Sequence, residues 1–169
     1  MTIRQLSIFI ENQSGTLQKV LELIKQLRIQ IIACTIADTA EYGIFRIICS
    51  EPDRACRELK AVGVAVAISD VFAVELNNQP GGAADVVGRF SGAGVGITYM
   101  YAFLIDGRGI LVFRTDQADK AREVIEKGWP ALPDGEGSPR QRLRDLSNSS
   151  RLIRPSRVCF ASYCRSHSR

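Results

Sequence analysis

Two short segments combine residue types suited to holding a small carboxylate-bearing ligand: Asn12-Gln13-Ser14-Gly15-Thr16-Leu17 and Asn78-Gln79-Pro80-Gly81-Gly82-Ala83. A glycine lets a ligand approach the backbone closely, the N–H groups that open a following helix suit a carboxylate, and an asparagine amide adds one donor and one acceptor. The same residues also make an ordinary turn and helix cap, so the two readings stand side by side. Other chemistry is sparse. The single histidine, His167, lies near the C-terminus, which leaves residues 1–132 without the commonest general base. Five cysteines, Cys34, Cys49, Cys56, Cys159 and Cys164, are odd in number and form no Cys-x-x-Cys pair. Neither a disulfide framework nor a metal site is expected, and Cys34 and Cys49, inside apolar runs, read as buried thiols acting as small hydrophobes. No catalytic residue, metal ligand or cofactor site is assigned.

The elements that must position the two turns are themselves repeated. A gapless shift of 66 residues superposes Asn12 on Asn78, Gly15 on Gly81, Val20 on Val86, Ile31 on Ile97, Gly43 on Gly109, Asp53 on Asp119 and Ala55 on Ala121. Within the first copy, residues 3–10 alternate as a strand and run into the first turn. Leu17, Val20, Leu21, Ile24 and Leu27 then recur at helical spacing. Residues 29–37 and 44–49 read as two strands, residues from Pro52 to Gly63 as a helix, and residues 64–68 as a closing strand. The second copy repeats the order, with strand 71–76, helix 80–91, a hairpin over 95–105 and 110–114, helix 116–127, and only residues 129–132 left for a last strand. Almost nothing separates residue 68 from residue 71, so the copies are expected to pack as one body.

Each copy thus predicts a ferredoxin-like βαββαβ unit of the α+β class. The first domain is expected over residues 1–70 and the second over 71–132, with residues 133–169 as a tail. That tail holds eight Ser and eight Arg against three acidic residues, and it reads as disordered. It carries all of the net +4 charge and more, so the first 132 residues sum to −1. A nearly neutral body does not invite nucleic acid or an anionic membrane. No uncharged apolar run approaches the roughly 18 residues needed to span a bilayer, and a cytoplasmic location is expected.

The Asn-x-x-Gly turns, above all Asn78-Gln79-Pro80-Gly81-Gly82, resemble the Asn-x-Pro-Gly-x-Leu signature of ACT domains, and residues 36–46 and 99–103 resemble small free-standing tandem ACT proteins. The resemblance covers residues 1 to about 132. It implies an amino-acid-binding regulatory or sensor protein rather than an enzyme, with Asn12, Gln13, Gly15, Thr16 and Leu17 in the first copy and Asn78, Pro80, Gly81 and Gly82 in the second as ligand-binding residues. Ser14 stands where the signature has proline, and Ala83 where it has leucine. A homodimer is expected, because edge strands of such sheets readily pair and ligand sites often form between domains; the alternative function is a ligand-free adaptor or regulatory subunit of an amino-acid metabolic enzyme, which tandem ACT units resemble. Tyr42, Tyr99 and Tyr101 are further candidates. Tyr99 and Tyr101 share a strand face, where packing under a helix competes with ligand contact. An acylphosphatase-like enzyme is disfavoured because no anion-binding loop with an arginine beside it is evident. An RNA-binding module is disfavoured because the strands are otherwise aliphatic.

Overall fold

Alternation in the first strand sets the architecture. In β1 (Thr2–Glu11) the side chains of Leu6, Ile8 and Ile10 point to one face and are buried, while Ile3 and Gln5 point to the other. The computed structural model describes residues 2–39, 41–77, 79–105 and 108–128. Within them β1 is followed by α1 (Thr16–Gln26), β2 (Ile31–Asp38), β3 (Tyr42–Cys49), α2 (Pro52–Ala61), β4 (Val66–Glu75), α3 (Gly82–Gly92), β5 (Tyr99–Ile105), β6 (Arg108–Arg114) and α4 (Ala118–Gly128). The 66-residue register survives folding: Gly15 and Gly81 both cap their helices, and Val20 with Val86, Ile24 with Phe90, and Ala55 with Ala121 are buried pairs.

The two copies share one antiparallel sheet of six strands, in the order β2-β3-β1-β4-β6-β5. The two predicted strands at 64–68 and 71–76 are the single strand β4, because Ser69 and Asp70 between them stay paired with Gln5 and Arg4 of β1. β4 serves both copies. It pairs with β1 from Val66↔Ile8 to Phe72↔Thr2 and with β6 from Phe72↔Phe113 to Glu75↔Ile110. The first copy is therefore a complete βαββαβ unit, and the second is built on a strand the first has already used. The strand expected at 129–132 and the tail from 133 lie outside the described residues.

Even-numbered side chains of β4 face helices at both of its ends. Val66 joins Leu6, Ile8, Val20, Ile24, Phe45, Ile47 and Leu59 in a core under α1 and α2; Phe72 and Val74 join Val86, Phe90, Leu111, Phe113 and Ala121 in a core under α3 and α4. All four helices thus cover one face. In the second core the Phe113 ring stacks on Phe72 at 5.3 Å and tilts against Phe90 at 4.6 Å, each such ring pair adding roughly 0.5–1.5 kcal/mol beyond area burial.

The helix-free face closes on itself. Ile3, Val71, Ala73, Ile110 and Val112 are buried there together with Ala33 of β2, and Tyr99 and Tyr101 of β5 pack onto the same cluster. Gln5, with no solvent exposure, donates from Nε2 to the Tyr99 hydroxyl at 2.7 Å and accepts at Oε1 from the Tyr101 hydroxyl at 2.9 Å. The Arg46 guanidinium of β3 lies 4.2 Å from the Tyr99 ring centroid, although three strands separate β3 from β5 in the sheet. The sheet must curl strongly to bring its ends into contact.

Candidate functional site

In the first turn the chain leaves β1 at Glu11 and enters α1 at Thr16. Gly15 caps the helix with φ +87, a left-handed conformation that favours glycine. Asn12 is engaged with the scaffold: its N–H donates to the Glu41 carbonyl at 2.9 Å and its Nδ2 to the Thr39 carbonyl at 3.3 Å, tying the turn to the β2–β3 hairpin. Gln13 N–H donates to the Glu11 carbonyl at 2.8 Å, and Thr16 N–H to the Gln13 carbonyl at 3.2 Å. Asn12, Gln13 and Gly15 are exposed, Thr16 is half-buried, and Leu17 packs against the first core.

The second turn has the same backbone plan. Gly81 caps α3 with φ +92, Gly82 N–H donates to the Gln79 carbonyl at 3.1 Å, and Asp85 N–H to the Gly81 carbonyl at 3.0 Å. Both N-cap residues are glycines and make no side-chain cap hydrogen bond to the opening N–H groups of α1 and α3. Here the turn borders a cavity of about 550 Å³, which lies between residues 79–83, Leu76 and Asn77 at the end of β4, residues 102–104 of β5, and Gly109 of β6. Of the expected second-turn residues, Pro80, Gly81 and Gly82 line this cavity; Asn78 lies outside the described residues. The first-turn residues do not border it. They sit at the start of α1, in the other half of the sheet.

Sequence reading missed Asn77. Gly82 is buried in the first turn of α3, and a Cβ there would fall on the Asn77 side-chain oxygen and lie 2.8 Å from the Asn77 carbonyl oxygen. Its glycine identity follows from this close approach, not from a left-handed φ. The doubled glycine was the available signal. Leu76, Ala102 and Leu104 were also missed, because their proximity to the turn depends on strand order.

Other candidates fall elsewhere. Tyr99 and Tyr101 lie on the helix-free face against Gln5 and Arg46, not under a helix. Burial, the largest effect, pushes the Tyr101 hydroxyl well above the usual tyrosine range, so it remains a donor to Gln5. Tyr42 is exposed at the start of β3. Cys34 is exposed on edge strand β2, contrary to the expected burial. Cys49 is buried, and desolvation pushes its thiol up to about 11.

A six-stranded antiparallel sheet with four helices on one face and a glycine-capped helix after the first strand of each copy defines a paired α+β module. The family model of the ACT domain pair matches residues 1–129, and the chain belongs to that family, whose domains are regulatory, amino-acid-binding modules. Among solved structures it is similar to protein BT0572 from Bacteroides thetaiotaomicron, with a TM-score of 0.71 at 42% identity over 75% of this chain and 88% of that one. The regulatory subunit of aspartate kinase from Thermus thermophilus, in its ligand-free form, matches with a TM-score of 0.55 at 13% identity over 77% of this chain and 98% of that one. The corresponding subunit from Thermus flavus matches at 0.51 and 15% identity, over 76% and 93%. At such identities the likeness to the two subunits is one of fold. No curated protein matches the chain. Among the described residues no helix is long and apolar enough to cross a membrane.

Proposed function

We propose that this chain is a non-catalytic amino-acid sensor that binds one free amino acid at the second glycine turn and acts by regulating a metabolic enzyme, as a homodimer in the cytoplasm. The observation that carries the reading is the cavity of about 550 Å³ bordered by Pro80, Gly81 and Gly82. It combines a glycine-capped helix start with a largely apolar concave wall, the combination a small zwitterion needs. Asn78, next to these residues in the chain, belongs to the proposed contact set. Asn12, Gln13, Gly15, Thr16 and Leu17 form the matching first-copy set, where a second ligand would bind if both turns are used.

The alternative is an adaptor that keeps the fold and needs no ligand. It is favoured by the engagement of Asn12 with Thr39 and Glu41, which makes the first turn a structural joint. Thermal melting of the chain against the twenty amino acids separates the two readings. A ligand at 100 times its dissociation constant stabilises the native state by about 2.7 kcal/mol, and a flat response across the panel, repeated by calorimetry, leaves the adaptor.

A further inference from the structure

The cavity at the second turn has largely apolar walls. Leu76, Ala83, Ala102, Phe103 and Leu104 supply its apolar surface, its side-chain amides are those of Asn77 and Gln79, and none of the described residues lining it is charged. A ligand side chain bearing an ammonium or carboxylate would find no counter-charge among these residues, whereas an aliphatic one would exchange water for carbon.

Two further features agree with this. Leu104, on the cavity wall, is 73% exposed, more than the other exposed large hydrophobics among the described residues, and an apolar ligand would cover it. At the position where the first copy packs Leu17 against its core, the second has Ala83 on the cavity wall. The shorter side chain leaves room beside the helix start.

We propose that this cavity selects α-amino acids with an uncharged apolar side chain and discriminates against lysine, arginine, aspartate and glutamate. The proposal rests on the amino-acid-binding reading above and adds the class of ligand to it.

The probes are L-norleucine, L-leucine, L-lysine and L-aspartate, titrated into the full chain by calorimetry. Norleucine and lysine share a four-carbon stem and differ in the terminal ammonium, so their comparison isolates the charge. The dissociation constants for norleucine and leucine are expected to lie at least about tenfold below those for lysine and aspartate, on the scale by which apolar pockets discriminate side chains. Ala83→Leu should fill the cavity and weaken norleucine at least about fivefold without lowering the melting temperature of the free protein, a smaller loss than a whole side chain commands because the site is open. Leu104→Glu, at an exposed position, should weaken norleucine and strengthen lysine. Lysine or aspartate binding as tightly as norleucine overturns the proposed class while leaving amino-acid binding intact. Unchanged norleucine affinity in both folded variants overturns the assignment to this cavity. Failure of all four probes, and of the remaining amino acids, overturns both the class and the reading on which it rests.

Discussion

Gly15 and Gly81 form a matched pair from which backbone strain and ligand contact can be separated. Both cap a helix, with φ +87 and +92, and a Cβ built on either meets nothing within 4 Å. Alanine at either position therefore incurs the left-handed backbone penalty of about 1–2 kcal/mol, partly offset by about 0.4–1 kcal/mol from a less flexible unfolded chain. The net cost is about 1 kcal/mol in each case, which for a folded body of this size lowers the melting temperature by roughly 3–6 °C. The affinities should diverge. Only Gly81 borders the cavity, so only there does the added methyl occupy ligand space. Gly81→Ala should lose at least about tenfold in affinity, or about 1.4 kcal/mol, while Gly15→Ala binds within about twofold of the natural protein. Differential scanning calorimetry reads the first quantity and titration calorimetry with norleucine the second. Equal affinity losses in the two variants would refute the assignment to the second turn, and a loss confined to Gly15→Ala would move the site to the first.

Gly82→Ala should gain helix propensity of about 1 kcal/mol yet displace Asn77, whose carbonyl must retreat about 0.6 Å to reach an ordinary 3.4 Å contact; weaker norleucine binding at near-natural stability is expected by calorimetry. Tyr101→Phe leaves the buried Gln5 Oε1 without its donor and should cost about 1–3 kcal/mol in urea unfolding, with much of the loss recovered when Gln5→Leu and Tyr99→Phe are added. Leu59→Ala, at a fully buried site of the first core, should cost about 2–5 kcal/mol by the same assay. Cys49 has a folded pKa near 11 against an ordinary 9.0. Its neutral thiol therefore stabilises the fold below pH 9, and that contribution should be lost as pH rises from 9 to 11, to be checked by comparing melting curves with those of Cys49→Ala.

Much of the scaffold was legible because its signals are local. Gly15 and Gly81, Val20 and Val86, and Ala55 and Ala121 mark repeated caps and buried helix faces, and the helices begin in the same 66-residue register. What was not legible depends on strand order. Two strand-like runs separated by Ser69 and Asp70 look the same whether they end two sheets or continue one; pairing with β1 and β6 decides that they continue. The shared parity of Tyr99 and Tyr101 was readable, but the face they occupy was not, since their partners Gln5 and Arg46 stand more than fifty residues away and meet them only when the sheet curls. Cys34 reads as buried in an apolar run, and the edge position of β2 exposes it. Asn77 and Leu104 carry no local signal of a site.

Duplication of the turn does not entail duplication of the site. At positions related by the 66-residue shift the first copy has Glu11, Thr16 and Leu17 where the second has Asn77, Gly82 and Ala83. Each difference acts in one direction. Asn77 presents a neutral amide where Glu11 places a carboxylate that would repel a ligand carboxylate. Gly82 admits the close approach of Asn77 that a Cβ would block. Ala83 borders open space where Leu17 packs into the core. The amide of Asn12, meanwhile, is engaged by the Thr39 carbonyl. The first turn is thus built as a joint that fixes α1 against the β2–β3 hairpin, and the second as a recess beside the start of α3. The two copies share β4 and are clasped through Gln5, Tyr99 and Tyr101, so the recess lies on a strand, β5, whose other face is hydrogen-bonded directly to β1 of the first copy.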